Sequence, residues 1–279
     1  MKIIDSSVEI LDQKPGELGV YQMIELAGRT AYKSEDKITE TSAEEFVKRM
    51  KNLGHGSPLE HGTVYLTIPK TDFNRIVDEH DFNFFDCPFI YWGETKLDDK
   101  NVYITTDYRT LYRLHYEDLL PFITEPTDRH VKRITVKFVC DRGVSHEFVR
   151  HRSFSFLQES TRYCNYSKDK FGKEITFIRP QKELDDETRP VFEFGLRVAE
   201  QTYFDLLDYG WKPEQARAIL PNALKTELIM TGTTQQWVEF FKLRTAVNAH
   251  PDARKLATDL LAQFIDRGYI KQEELLSNN

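Results

Sequence analysis

The chain has 279 residues, is 40% hydrophobic and 13% aromatic, and carries a formal net charge of −7 with a pI near 5.7. These values fit a globule with a sizeable core and exclude a disordered chain or indiscriminate attraction to nucleic acid or anionic membrane. Cys87, Cys140 and Cys164 are widely spaced and form no CxxC pair, so neither a disulfide framework nor a zinc ribbon is expected, and a reducing cytoplasm fits best.

The N-terminal MKIIDSSVEILDQK has no signal-peptide pattern, and no stretch approaches the roughly 18 apolar residues of a membrane span, so a protein outside the membrane is expected. Val20, Met23, Ile24 and Ala27 recur at helical spacing within Gly16–Lys33. Thr41 or Ser42 is placed to cap a second helix through Phe46, Val47 and Met50, which Gly54 stops. Thr63–Ile68, closed by Pro69, and Ile134–Val139 alternate as strands that could pair with each other. Between them, about 70–133 reads as an inserted subdomain rich in aromatics and charge, with some helix in Leu111–Leu120.

Asp141–Val149 is predicted helical, with His146 and Arg150 on one face. Glu174–Ile178 resembles a short strand. Thr188 and Pro190 open a long helix that Gly210 closes, and Pro213 starts another that Pro221 interrupts. Leu224–Thr231 reads as a strand broken by Gly232. Thr233 or Thr234 then caps a helix ending at Arg244, and Pro251 opens a last one. With no internal repeat, the expected fold is α+β: one interwoven domain with a central, mostly antiparallel sheet and packed helices.

Chemistry concentrates in Arg150-His151-Arg152, followed after seven residues by Ser160, Thr161 and Arg162. Guanidinium forks beside hydroxyls suit phosphate oxygens, and only Glu159 is acidic within RHRSFSFLQESTRY. On one continuous helix Arg150 and Arg152 would point about 200° apart, so either the helix ends there or the two serve different anions, as in a site holding a mononucleotide and a dinucleotide. A solvated basic helix end is the plainer reading of an isolated RHR. A second dense patch, Gly54-His-Gly-Ser-Pro-Leu-Glu-His61, lets backbone approach a ligand; its spacing matches neither HExxH nor HxxEH, so no metal site is expected. GxGxxG, GxxxxGK[ST] and GxSxG are absent, so a nucleotide site would rely on arginines, Arg217 and Arg244 among them.

The RHR, seven residues, then Ser pattern resembles the signature of the flavin-dependent thymidylate synthases. GRTAY at Gly28–Tyr32, GHGSPLEH, STRY, ARAILP at Ala216–Pro221 and FKLR at Phe240–Arg244 fall in the order of that family's blocks. The resemblance implies an α+β homotetramer with shared active sites, FAD, and reductive methylation of dUMP to dTMP with methylenetetrahydrofolate and NADPH. It further implies that Arg150, His151, Arg152 and Ser57 contact FAD, with Gln158 beside it. Glu147, Arg150, Gln158, Glu159, Ser160, Thr161, Arg162, Arg217 and Arg244 would surround dUMP, and His55 would lie near flavin and folate.

Departures from compact members are Glu147 and Gln158, where those carry glutamine and glutamate. Thr233, Gln235 and Glu239 stand where they have asparagine, arginine and asparagine near FAD. The 70–133 region is missing from compact members, so nothing carries over to it. Arg244 is the expected catalytic residue, stabilising charge on the pyrimidine. Two alternatives remain at this level. Cys164 could act as a nucleophile, or the segment could bind RNA or nucleotide without catalysis, stacking bases on Phe154, Phe156, Tyr163 and Tyr166.

Overall fold

The computed structural model describes residues 1–79, 87–92, 100–162, 164–168 and 171–276. Part of the aromatic run near 82–86 and Tyr163 therefore lie outside the described residues. Within them the fold is mixed α and β, with an antiparallel sheet and packed helices.

The four-stranded sheet has the order β2-β6-β9-β7, formed by Ser7–Leu11 (β2), Arg133–Asp141 (β6), Ser155–Gln158 (β7) and Lys225–Thr233 (β9), all antiparallel. Strict alternation explains its two faces. Ile134, Val136, Phe138 and Cys140 of β6, with Leu228 and Met230 of β9, point into an apolar core. Helices Arg142–Phe148 (α5), Thr234–Arg244 (α8) and Pro251–Asp266 (α9) supply most of the rest, including fully buried Trp237, Phe240 and Phe264. Burying each such ring is worth about 1.5–3 kcal/mol, and the Trp237 indole also donates to the Ile134 carbonyl at 3.1 Å.

The opposite face is polar. Thr135 sits across from Thr231, their hydroxyls 2.9 Å apart, while Lys137 and Glu227 project beside them. Gly16–Tyr32 (α1) and the 3-10 turn Ser57–His61 cover this face. Helix α1 buries Val20, Met23, Ile24, Ala27 and Ala31 and ends on left-handed Lys33; Ser42–Leu53 (α2) ends on Gly54 at φ 68°. Both helices follow the predicted spans.

Thr63–Pro69 (β3) does not pair with β6. It pairs with Asn101–Asp107 (β5), from Thr63↔Asp107 to Pro69↔Asn101, and β5 also pairs with Tyr91–Trp92 (β4). Strands β3 and β6 were visible by their alternation, but pairing is decided by the core each buries. Residues of the 70–133 region, among them Ile104, Leu111, Tyr116 and Leu119, share a core with α1 and α2. Helix Lys70–Glu79 (α3) follows β3, and Tyr108–Leu114 (α4), capped by Asp107, covers part of the predicted helical stretch.

The remaining elements pack around Tyr203, Phe177 and Cys164. Lys2–Ile4 (β1) runs parallel to Thr176–Ile178 (β8), and Thr188–Asp208 (α6) lies against them with the short Pro213–Ala216 (α7). Strand β9 continues through Gly232 where a break was expected, because a Cβ there would meet the Phe154 ring at 2.5 Å; glycine makes room for the core rather than a turn. Helix α9 is followed by a further short one, Gln272–Leu276 (α10).

Candidate active site

Asp141 caps α5 by accepting the Val144 amide at 2.8 Å, and the helix stops at Phe148. Arg150 therefore lies beyond it and shares no helical face with His146, contrary to expectation. Ending the helix removes the 200° constraint on Arg150 and Arg152, which flank His151 as exposed side chains. Neither forms an ion pair among the described residues. Strand β7 begins three residues later, and Phe154 anchors the intervening turn in the core against Trp237, ring centroids 4.7 Å apart.

At the end of α8, Arg244 reaches back to this turn. Its Nε donates to His151 Nε2 at 2.9 Å and one Nη donates to the Glu147 carboxylate at 2.7 Å; the other donates to the Glu147 carbonyl. Burial, with the Arg244 charge adding to it, pushes the His151 imidazole down to about 4, so it is neutral at pH 7. Arg244 has five N–H groups in a fixed fork, and these contacts use three.

The segment after β7 forms a second group. Thr161 accepts from an Arg217 Nη at 2.8 Å, and Arg162 pairs with Glu214 at 3.3 Å. Ser160 is tied by its amide to the Ala31 carbonyl at the end of α1, at 3.0 Å. Gln158 donates to Ser145 and Thr226 at 2.9 and 3.1 Å. Glu159 is buried, and its carboxylate accepts from Lys225 at 2.9 Å.

Beneath that segment is an ionic core that the sequence reading missed. Glu227 pairs with Lys33 at 2.7 Å, Lys137 at 2.8 Å, and Lys225. Burial alone would raise its pKa, but the Lys225 charge and hydrogen bonds from Lys137, Lys225 and Lys33 hold it at about 2. Its backbone carbonyl also accepts the Glu159 amide at 2.8 Å. The alternation of Lys225, Glu227 and Ile229 was the available signal, read only as a strand.

The glycine-rich patch splits. His55 and Ser57 are exposed, and the Tyr32 hydroxyl lies 3.0 Å from His55 Nδ1. His61 is fully buried, bonded through Nδ1 to Thr231 at 2.8 Å, and pushed down to about 3 by burial and then by Arg133. Arg109, from the 70–133 region, pairs with Glu60. Thr233 is buried and caps α8 by accepting the Gln236 amide at 3.2 Å; Gln235 is exposed, and Glu239 pairs with Lys242 at 3.4 Å.

Both alternatives lose part of their geometry. Cys164 is fully buried beside Tyr166 and Ile175, out of a substrate's reach. Phe154 and Tyr166 are buried as well, so neither offers a free face to a base. Among the described residues, no helix is long and apolar enough to cross a membrane.

The family model described as thymidylate synthase complementing protein matches residues 129–267, which hold both residue groups. A flavin-dependent thymidylate synthase of Geobacter sulfurreducens is 34% identical over 120 residues, 43% of this chain and 50% of the relative. One of Pyrococcus furiosus is 33% identical over 135 residues, covering 47% and 54%. The chain thus spans about half the length of the curated relatives it matches. A solved UMP/dUMP methylase of Streptomyces cacaoi bound with 5-Br dUMP aligns at TM-score 0.45 and 17% identity, covering 95% of this chain and 93% of that one. Residues 129–267, with RHR and Arg244 inside the match, thus resemble the thymidylate synthase complementing protein family.

Proposed function

We propose that this protein is a flavin-dependent thymidylate synthase, converting dUMP to dTMP with methylenetetrahydrofolate as carbon donor, NADPH as reductant and FAD as cofactor. The observation that carries the reading is Arg244, half-sequestered by Glu147 and His151 beside two exposed arginines that form no ion pair among the described residues. Such forks are placed to receive anions.

Arg150 and Arg152 would hold the FAD pyrophosphate, and neutral His151 avoids adding a third charge between them. Ser57 and His55 would border the ring system, with Gln158, Gln235 and Glu239 as further contacts; Thr233 would act through its cap of α8. Bound FAD supplies hydride and one-carbon reduction chemistry. The protein's own part is orientation and charge. Arg217, Arg162, Thr161 and Ser160 would grip the nucleotide phosphate, with Glu159 and the ionic core fixing their segment. Arg150, Glu147 and Arg244 would meet the pyrimidine.

C5 of uracil is a weak nucleophile until electron density is pushed onto the ring. The two remaining Arg244 N–H groups would stabilise the negative charge that develops there, an electrostatic role that often dominates catalysis. A site completed by a second copy in a homotetramer is part of the proposal. One interwoven domain and a cytoplasmic setting belong to the same reading.

Reconstitution tests it. Purified protein should bind FAD, acquire a visible flavin band, and lose that band on anaerobic addition of NADPH. A chain that stays colourless with excess FAD would end the proposal.

A further inference from the structure

Gly56 precedes the turn Ser57–His61 at φ −75° and ψ −29°, a conformation open to any residue, so backbone freedom does not explain a glycine there. Space does. A Cβ on Gly56 would stand 2.7 Å from Arg109 Nε and 3.1 Å from its Cζ, so the guanidinium rests directly against bare backbone. The same guanidinium pairs with the Glu60 carboxylate, and the Glu60 carbonyl accepts from Arg133 at 3.3 Å.

Arg109 comes from α4, in the 70–133 region, and α4 is itself tied to this turn. The Tyr108 amide donates to the Gly62 carbonyl at 2.9 Å. Asp107 lies opposite Thr63 in the strand register and caps α4 by accepting the Thr110 amide at 2.9 Å. Leu59 is buried in one core with Tyr108 and Leu111. Lys51, near the end of α2, reaches Glu117 at 3.2 Å and lies 4.2 Å from the centre of the Tyr112 ring. From α1, the Tyr32 hydroxyl meets His55 at 3.0 Å. These contacts fix His55 and Gly56 while leaving the His55 and Ser57 side chains exposed.

We propose that Arg109 is a positioning residue, through which the 70–133 region braces the loop that presents His55 and Ser57 to the flavin ring. In naming flavin the inference rests on the proposed function; the brace rests on the contacts to Gly56 and Glu60. An ion pair partly open to water adds little to folding stability, so the effect of this one falls on where the loop sits.

A mutant cycle on the full chain tests it. Arg109→Ala should weaken FAD about tenfold, because the loop must then be ordered at the moment of binding. ADP, which carries only the pyrophosphate half assigned to Arg150 and Arg152, should bind as before. Gly56→Ala should also weaken FAD in the unaltered protein but cost nothing further in Arg109→Ala, since its Cβ acts by displacing the guanidinium. Amide exchange at Gly56 and Leu59 needs no ligand and should quicken in Arg109→Ala at an unchanged unfolding midpoint. The inference is overturned if Arg109→Ala keeps its FAD affinity, if ADP weakens in step with FAD, if Gly56→Ala costs the same with and without Arg109, or if exchange is unchanged. Unaltered protein that binds no FAD ends the flavin reading, and amide exchange then decides the brace by itself.

Discussion

Arg244 Nε donates to His151 Nε2 across 2.9 Å, joining residues 93 apart in sequence. His151 must accept there, so its proton sits on Nδ1, and the Arg244 charge works together with burial against a second proton. The arginine thus sets the state of the histidine between Arg150 and Arg152.

Removing that charge should be visible directly. In Arg244→Gln the His151 pKa should rise from about 4 toward the ordinary 6.5, because one of its two causes is gone. Histidine-resolved NMR titration measures this. In the unaltered protein the folded pKa lies below the unfolded one, so His151's contribution is intact above pH 6.5 and lost as pH falls toward 4.

Arg244→Ala should still bind FAD through Arg150 and Arg152 but lose turnover by roughly 100-fold or more, the scale of losing a charge-stabilising donor. Arg244→Lys should not restore it, since one ammonium cannot reach Glu147, His151 and a substrate together. Steady-state rates with a parallel flavin titration separate the two effects.

Glu227→Gln should destabilise the fold by about 3–5 kcal/mol, because three lysines lose their shared counter-charge. Urea unfolding measures the loss. Glu227 is held at about 2, below its unfolded value, so its stabilisation is present above pH 4.5 and disappears as pH falls through the window down to 2. The gap between wild type and variant should narrow over that window.

Arg217→Ala should raise KM for dUMP about tenfold or more with a smaller change in kcat, as expected for a phosphate contact. Cys164→Ala should keep its activity and lose only about 1 kcal/mol of stability from a small apolar truncation. Loss of turnover in the cysteine variant at unchanged stability would restore the nucleophile model.

Much of this was legible where local rules govern. Helices α1 and α2 are set by apolar spacing and by their stops at Lys33 and Gly54, and α8 by Thr233. The motif residues were visible as an anion-seeking cluster. Strand β7 was not, because SFLQ is only four residues long and sits inside that motif. Strand β5 was hidden in a mixed aromatic and charged stretch, and with it the true partner of β3. Contacts such as Arg244 with Glu147, or Glu227 with Lys33, depend on tertiary placement across 97 and 194 residues. No spacing rule reaches that far.

The most direct measurement is a single-turnover assay. FAD-loaded protein, reduced anaerobically by NADPH and mixed with dUMP and methylenetetrahydrofolate, should form dTMP as the flavin band returns. Omitting FAD, dUMP or the folate should abolish product. Formation of dTMP without flavin, or reoxidation of the flavin with no dTMP when all components are present, would contradict the account.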